Sequence, residues 1–369
     1  MAVVIGINCF ATSYALSWDR VLTGYFGTIS NGQDTDASIS TAETSEGKYA
    51  TLEELAAAEK EVELQIVDEG AVLLKNDGNA LPLDKGMKVS VFGQTAQMWM
   101  TKEKLTNTKD VVFLDSLEAA GLEINGALRK MYKQSKHTKW GIGANLGNGG
   151  IAGSWQIDEV PVSEYKDSTI ESFAEYHDAA IVVLTRGGSE GGDLPRAMDR
   201  FGGTKEQTYL MLSQDEQDLL TLVGTHFDRV ILILHTTNAM DMAFIDTEAY
   251  GIDAVLWVSG TGQDGVEEIG KILVGDVNPS GRTVDTWVYD NLSAPATQNF
   301  GDFRFTKNGE VINATTTTVG GTYSYQNYAE GIYVGYKYYE TRYEDVVMGT
   351  PTPAATTIKV RSPTPLVMV

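Results

Sequence analysis

The chain has 369 residues, of which 50 are acidic and 28 are Lys or Arg, for a formal net charge of −22. That excess excludes a surface that coats nucleic acid, which must displace counterions with basic groups, and argues against docking on anionic lipid; it is compatible with a neutral substrate. One cysteine (Cys9) and four histidines without HExxH spacing exclude a disulfide framework and a cysteine-built zinc cluster, so no metal or other cofactor is expected and any catalysis falls mostly to carboxylates.

Ala2–Leu16 is mostly apolar but has no Lys or Arg before it and is too short to span a bilayer. It reads as a docking arm or the remnant of a clipped anchor rather than a signal peptide. Residues 28–50 are Ser/Thr/Asp-rich and read as a linker, so residues 1–50 form an arm and linker. From Thr51, apolar residues at Leu52, Leu55, Ala56, Val62, Ile66 and Val67 follow helical spacing up to Gly70. Ala71–Leu74 is a short apolar run, and Lys88–Phe92 (KVSVF) is a buried-strand signal closed by Gly93. Residues 111–125 hold a short helix, a glycine stop and a short strand.

Residues 165–179 have a helical pattern and Ala180–Leu184 (AIVVL) a strand pattern. Residues 213–227 read as a helix opened by Ser213, with Asp215 and Glu216 in its first turn. Val230–Leu234 and Ala254–Val258 are strands, 242–250 a short helix, and 263–274 a helix ending at Gly275. Continuously apolar strands alternating with helices indicate an α/β domain over 51–290, with a mostly parallel sheet sandwiched between helices. Residues 291–349, rich in Tyr and Gly, read as a loop-and-hairpin extension, and 350–369, with Pro beside Thr or Ser, as a disordered tail.

Ligands of such sheets bind beyond the carboxyl ends of the strands, here in the loops after Leu184, Leu234 and Val258. The first of these holds Glu190 among glycines (GGSEGGDL, 187–194). A solvated loop glutamate is the default reading; a carboxyl carried toward a partner surface, acting as general acid if burial raised its pKa, is the functional one. Asp193 can brace the same loop through backbone N–H groups. Gly141–Gly147 is G-x-G-x-x-x-G and lies outside a strand-to-helix turn, which sets nucleotide binding aside. There is no Walker A motif and no G-x-S-x-G elbow. His235 ends a strand and reads as structural. The tyrosines of 323–339 read first as packing and second as a platform for sugar rings. The sequons at Asn291 and Asn313 matter only for a chain secreted from a eukaryote.

Together these segments resemble glycoside hydrolase family 3, the β-glucosidase family, in its α/β sandwich domain. The carriers are Glu69–Leu83 (EGAVLLKNDGNALPL), Lys88–Gly93, Ala180–Pro195, Ala254–Arg282 (AVLWVSGTGQDGVEEIGKILVGDVNPSGR) and Tyr328–Glu340 (YAEGIYVGYKYYE), so that residues 65–345 are covered. The resemblance implies that Glu190 is the acid/base of a retaining glycosidase, with Asp193 and Arg186 in the substrate loop and Gln263 and Asp264 in a structural turn. It also implies an aspartate nucleophile on a (β/α)8 barrel.

About 65 residues precede the match, too few for a barrel of about 250. Tyr14–Gly27 resembles the start of the domain-swapped subgroup, in which the sandwich comes first, yet only a Pro/Thr tail follows residue 349. The family's Gly-rich segment after the first strand is replaced by Gln94–Thr108. The expectation is a sandwich domain acting on terminal β-linked glucosides or oligosaccharides, with no nucleophile of its own and inactive alone. Its partners would be a barrel in trans or further copies of itself, since apolar surface left by a barrel favours self-association. A non-catalytic carbohydrate-binding module is the alternative. The charge fits a secreted or cell-surface bacterial hydrolase.

Overall fold

The computed structural model describes residues 48–349 except 98, 102–103, 106–111, 141–142, 148–149, 189–193, 263, 300–302, 312, 315–320, 323–324, 326 and 329. The expected N-terminal arm, most of the linker and the tail lie outside the described residues. The chain divides into residues 1–55 and 56–369, and the second unit holds the whole sheet.

In chain order the elements are α1 (Leu52–Gly70), β1 (Val72–Asn76), β2 (Lys88–Phe92), the hairpin β3 (Met100–Thr101) and β4 (Lys104–Leu105), α2 (Val112–Ala119), β5 (Glu123–Ile124) and α3 (Gly126–Lys133). Then come the hairpin β6 (Gly143–Gly147) and β7 (Gly150–Ser154), α4 (Asp167–Glu171), β8 (Ala179–Arg186), α5 (Gln214–His226), β9 (Val230–Thr236), β10 (Ile252–Trp257) and α6 (Glu267–Leu273). The extension holds α7 (Pro295–Asn299), the two-residue strands β11 (Thr306–Lys307), β12 (Glu310–Val311), β13 (Asn313–Ala314) and β14 (Gly321–Thr322), and α8 (Tyr336–Met348).

Six strands form one sheet in the order β1-β10-β9-β8-β2-β5. Five are parallel and β1 runs antiparallel along β10. From β2 the chain moves outward to β5, then crosses back to β8 on the other side of β2. The strand order therefore reverses between β2 and β8, the topological switch point where open α/β sheets bind ligands.

The apolar strand runs have a direct cause in burial on both faces. Side chains alternate along a strand, so Ile181 and Val183 of β8 join one core with Phe113, Leu114, Ile269 and Leu273, while Ala180, Val182 and Leu184 join the other with Leu219, Leu220 and Phe227. Every residue of β8 and β9 is buried. On the first face α2 and α6 cross so closely that a Cβ on Gly270 would stand 2.2 Å from the Ser116 carbonyl oxygen.

Several expected elements differ. The 165–179 helix stops at Glu171 and passes through a 3₁₀ turn before β8. Ser172 Oγ turns back to the Thr169 carbonyl and to Asn125, competing with the helical ladder. Residues 242–250 form two 3₁₀ turns, closed by Gly251 at φ 58°. The extension contains hairpins as expected but also the 13-residue α8, bounded by Gly335 and Gly349. The apolar positions of α1 mostly stay uncovered: Val67 is buried, whereas Val62 and Ile66 are more than half exposed. Among the described residues no helix is long and apolar enough to cross a membrane.

Candidate active site at the carboxyl edge of the sheet

Four loops meet at the carboxyl ends of the parallel strands, and their roots are built from buried polar contacts. After β2 the backbone turns at Gly93, whose φ of 103° disfavours any side chain, and a Cβ there would lie 2.4 Å from the Val183 carbonyl oxygen. The Gly93 N–H donates to the Tyr132 hydroxyl at 2.8 Å, which is itself in a close hydrogen bond with the Tyr165 hydroxyl. Gln94 N–H donates to both oxygens of Glu159 (3.1 and 3.0 Å), and Val160 N–H to Glu159 Oε1 at 3.0 Å. Burial pushes the Glu159 carboxyl up to about 8 against the pull of these N–H donors.

After β8 the loop root is an arginine clamp. Arg186 is fully buried, and its guanidinium forms a bidentate pair with Glu216, Nη1 to Oε1 and Nη2 to Oε2, each 2.7 Å. Its remaining donors go to the carbonyls of Tyr209 (Nε, 2.8 Å), Thr185 (Nη1, 2.9 Å) and Met211 (Nη2, 2.6 Å). All five guanidinium N–H groups are thereby used. Arg186 was expected in the substrate loop; it is the last residue of β8, and its donors are all taken within the protein.

Gly187 is held by the Tyr209 hydroxyl (3.3 Å) and by Asn238 Nδ2, which donates to its carbonyl at 3.1 Å. Where the chain is next described, Leu194 packs on a small cluster of Trp155, Ile157, Met198 and Tyr209. Tyr209 thus bonds Gly187 and belongs to the cluster that Leu194 packs on. Glu190 and Asp193 lie outside the described residues, within 189–193.

At the end of β9, His235 is fully buried, donates from Nδ1 to the Val258 carbonyl (3.0 Å) and stacks on Trp99 at 4.0 Å between ring centroids. That is the structural histidine its position indicated. Asp241, farther along the same loop, accepts from Asn291 N–H at 3.2 Å, and burial pushes its carboxyl up to about 6.

After β10, Thr261 Oγ1 accepts from Trp99 Nε1 at 3.1 Å, and Asp264 N–H donates to Glu63 of α1 at 2.9 Å. Asp264 also accepts the Glu267 N–H at 3.0 Å through its carbonyl, and Lys60 lies 3.8 Å from its carboxylate. It is a turn-forming residue at the start of α6; Gln263 beside it lies outside the described residues.

Sequence reasoning missed Glu159, Tyr209 and Asp241, and it placed Glu216 only as a helix-dipole residue. Ser213-x-x-Glu216 is a capping-box pattern and could have marked Glu216; Glu159, in the mixed stretch WQIDEVPV (155–162), carries no comparable signal. Among the described residues no group of three or more His, Cys, Asp or Glu is placed to hold a metal ion.

Comparison with known proteins gives a consistent picture. Residues 71–336 match the model of the glycosyl hydrolase family 3 C-terminal domain. The chain is 31% identical over 286 residues to a β-glucosidase of Ruminococcus albus, covering 76% of this chain and 26% of that protein. It is 28% identical over 304 residues to β-glucosidase A of Butyrivibrio fibrisolvens, covering 78% and 34%. Among solved structures, a β-glucosidase from Paenibacillus barengoltzii superposes with a TM-score of 0.58 at 28% identity, over 76% of this chain and 28% of that one. The chain therefore spans about a quarter to a third of the length of these relatives.

Proposed function

We propose, from the premise that this chain belongs to glycosyl hydrolase family 3 and carries its C-terminal domain, that it is the acid/base half of a retaining β-glucosidase. Glu190 protonates the leaving oxygen of a terminal β-linked glucoside and then, as the base, activates water. A barrel aspartate on another stretch of polypeptide attacks the anomeric carbon, which requires the two carboxyls about 5–5.5 Å apart. The observation that carries this reading is the clamp at the end of β8: a fully buried Arg186–Glu216 pair and Tyr209 fix the root of the 187–194 loop at the carboxyl edge of the sheet, beside the switch point. A rigid root lets a glycine-rich loop present one carboxyl to a partner domain. The proposal includes a secreted or cell-surface site of action, consistent with the −22 charge and neutral substrates.

Without a nucleophile of its own, the chain alone should not turn over aryl β-glucosides, and mixing it with a barrel-only chain should produce turnover. Hydrolysis by the isolated chain would overturn the half-site reading. A second reading, a carbohydrate-binding module, is favoured by the exposure of Tyr325, Tyr328, Tyr333 and Tyr336 on the extension. Calorimetric binding of cello-oligosaccharides by the isolated chain, lost on Tyr328→Ala, would support it over the first.

A further inference from the structure

The acidic chain carries a dense local reversal of charge. Residues 129–139 contain Arg129, Lys130, Lys133, Lys136, His137 and Lys139 and no acidic residue, against a net −22 for the whole. The lysines recur at every third position. The run starts in α3 and continues past its C-terminus at Lys133. Cations in the last turn favour the helix dipole, but that accounts for Lys130 and Lys133 alone and not for the continuation to Lys139.

Some of these charges are already used. Arg129 pairs with Asp115 and Glu118 (2.7 and 3.1 Å), Lys136 with Glu164 (3.2 Å), and His137 with Asp158 and Glu164 (2.9 and 3.2 Å). Lys130, Lys133 and Lys139 are exposed, and their ammonium groups have no carboxylate partner among the described residues, although the Lys139 backbone N–H donates to Asp158 at 2.8 Å. Gly126, Arg129, Lys130, Lys133 and Gln134 line an open hollow of about 460 Å³, within the usual size range of ligand sites. The ammonium groups of Lys130 and Lys133 at this hollow, with Lys139 farther along the same run, can attract a flexible chain of separated anions.

We infer that this lysine run is a docking surface for a carboxylate-bearing polysaccharide, a polyuronide. A dense polyanion such as duplex DNA, with one charge per ~1.7 Å, is disfavoured by the field of a −22 protein; a polymer with one carboxylate per sugar is repelled far less. The choice of a polysaccharide rests on the glycoside hydrolase reading above. Such a surface would hold the hydrolase on an acidic cell-wall polymer while it works on neutral side chains or neighbouring glucosides.

The test is affinity electrophoresis of the intact chain through gels containing polygalacturonate, with the triple variant Lys130→Gln, Lys133→Gln, Lys139→Gln alongside. The wild-type chain should be retarded and the variant should bind at least tenfold more weakly, with an unchanged thermal midpoint because all three side chains are exposed. Binding should weaken as ionic strength rises from about 0.01 M to 0.15 M, where the screening length falls from ~30 Å to ~8 Å. No retardation of the wild type, equal retardation of the variant, or equally tight binding of duplex DNA or anionic lipid vesicles would overturn the inference. The assay involves no hydrolysis, so failure of the mixed-chain activity test leaves its result readable, and the reverse holds as well.

Discussion

Arg186 and Glu216, 30 residues apart in sequence, meet in a bidentate pair with both side chains fully removed from solvent. Glu216 also closes the capping box of α5, its Oε2 accepting the Ser213 N–H at 2.8 Å while Ser213 Oγ accepts the Glu216 N–H at 3.3 Å. One carboxylate thus ties the start of α5 to the end of β8, four residues before Glu190.

Breaking that pair leaves an uncompensated buried charge. Glu216→Gln should cost about 3–5 kcal/mol of unfolding free energy, read from urea denaturation. The double change Arg186→Met with Glu216→Leu should recover much of that loss, because it removes both charges and leaves neither one buried alone. A double variant no more stable than Glu216→Gln would contradict the account.

Glu159 gives the fold a pH dependence of definite sign. Its folded pKa of about 8 lies above its ordinary 4.5, so the folded state holds the proton more tightly than the unfolded one. Stability from this group is present at low pH, falls as pH rises from about 4.5 to 8, and levels off above. Glu159→Gln, neutral throughout, should flatten that slope in urea midpoints measured at pH 5.5 and 8.

His137 acts in the same direction at a different place. Burial works against its cation, but hydrogen bonds and charge from Asp158 and Glu164 outweigh burial and hold the imidazole above its ordinary 6.5. Its contribution is complete below pH 6.5 and is lost as pH rises through the folded value. Proton NMR titration should show His137 titrating above 6.5 in the native chain and below 6.5 in the variant lacking both carboxylates, Asp158→Asn with Glu164→Gln, where burial acts unopposed.

Gly93→Ala meets two obstacles at once, a φ of 103° and the Val183 carbonyl oxygen 2.4 Å from the new Cβ. The substitution should destabilise by more than ~1 kcal/mol and lower the thermal midpoint. Gly260→Ala, which meets nothing within 4 Å, is the control expected to leave the midpoint nearly unchanged.

What was legible in the sequence follows from what each feature depends on. β2, β8, β9 and β10 were readable because strands buried on both faces carry mostly apolar runs, and Ser213 announced α5 through its cap. The helix α3 was missed: its N-cap, Asn125, reveals itself only through the bonds it accepts from Ala127 and Leu128 N–H (3.1 Å each). The α8 helix was missed because its tyrosines look like an aromatic platform. At the site, the end of the strand before Glu190 was legible from its apolar run, and β8 ends at Arg186; Glu190 itself lies outside the described residues. The clamp was not, because Arg186 meets Glu216 and Tyr209 only after tertiary folding, and nothing in the spacing of those three residues links them.

The central claim is that Glu190 supplies the proton in a site completed by another domain. The most direct measurement is the hydrolysis rate of an alkyl β-glucoside, a poor leaving group, by this chain mixed with a barrel-only chain, comparing the wild type with Glu190→Gln. A positioned acid contributes about 10²- to 10⁴-fold; a fall of that size, with no hydrolysis by either chain alone, is predicted. Equal rates for the two forms, or turnover by this chain without a barrel, would contradict the account.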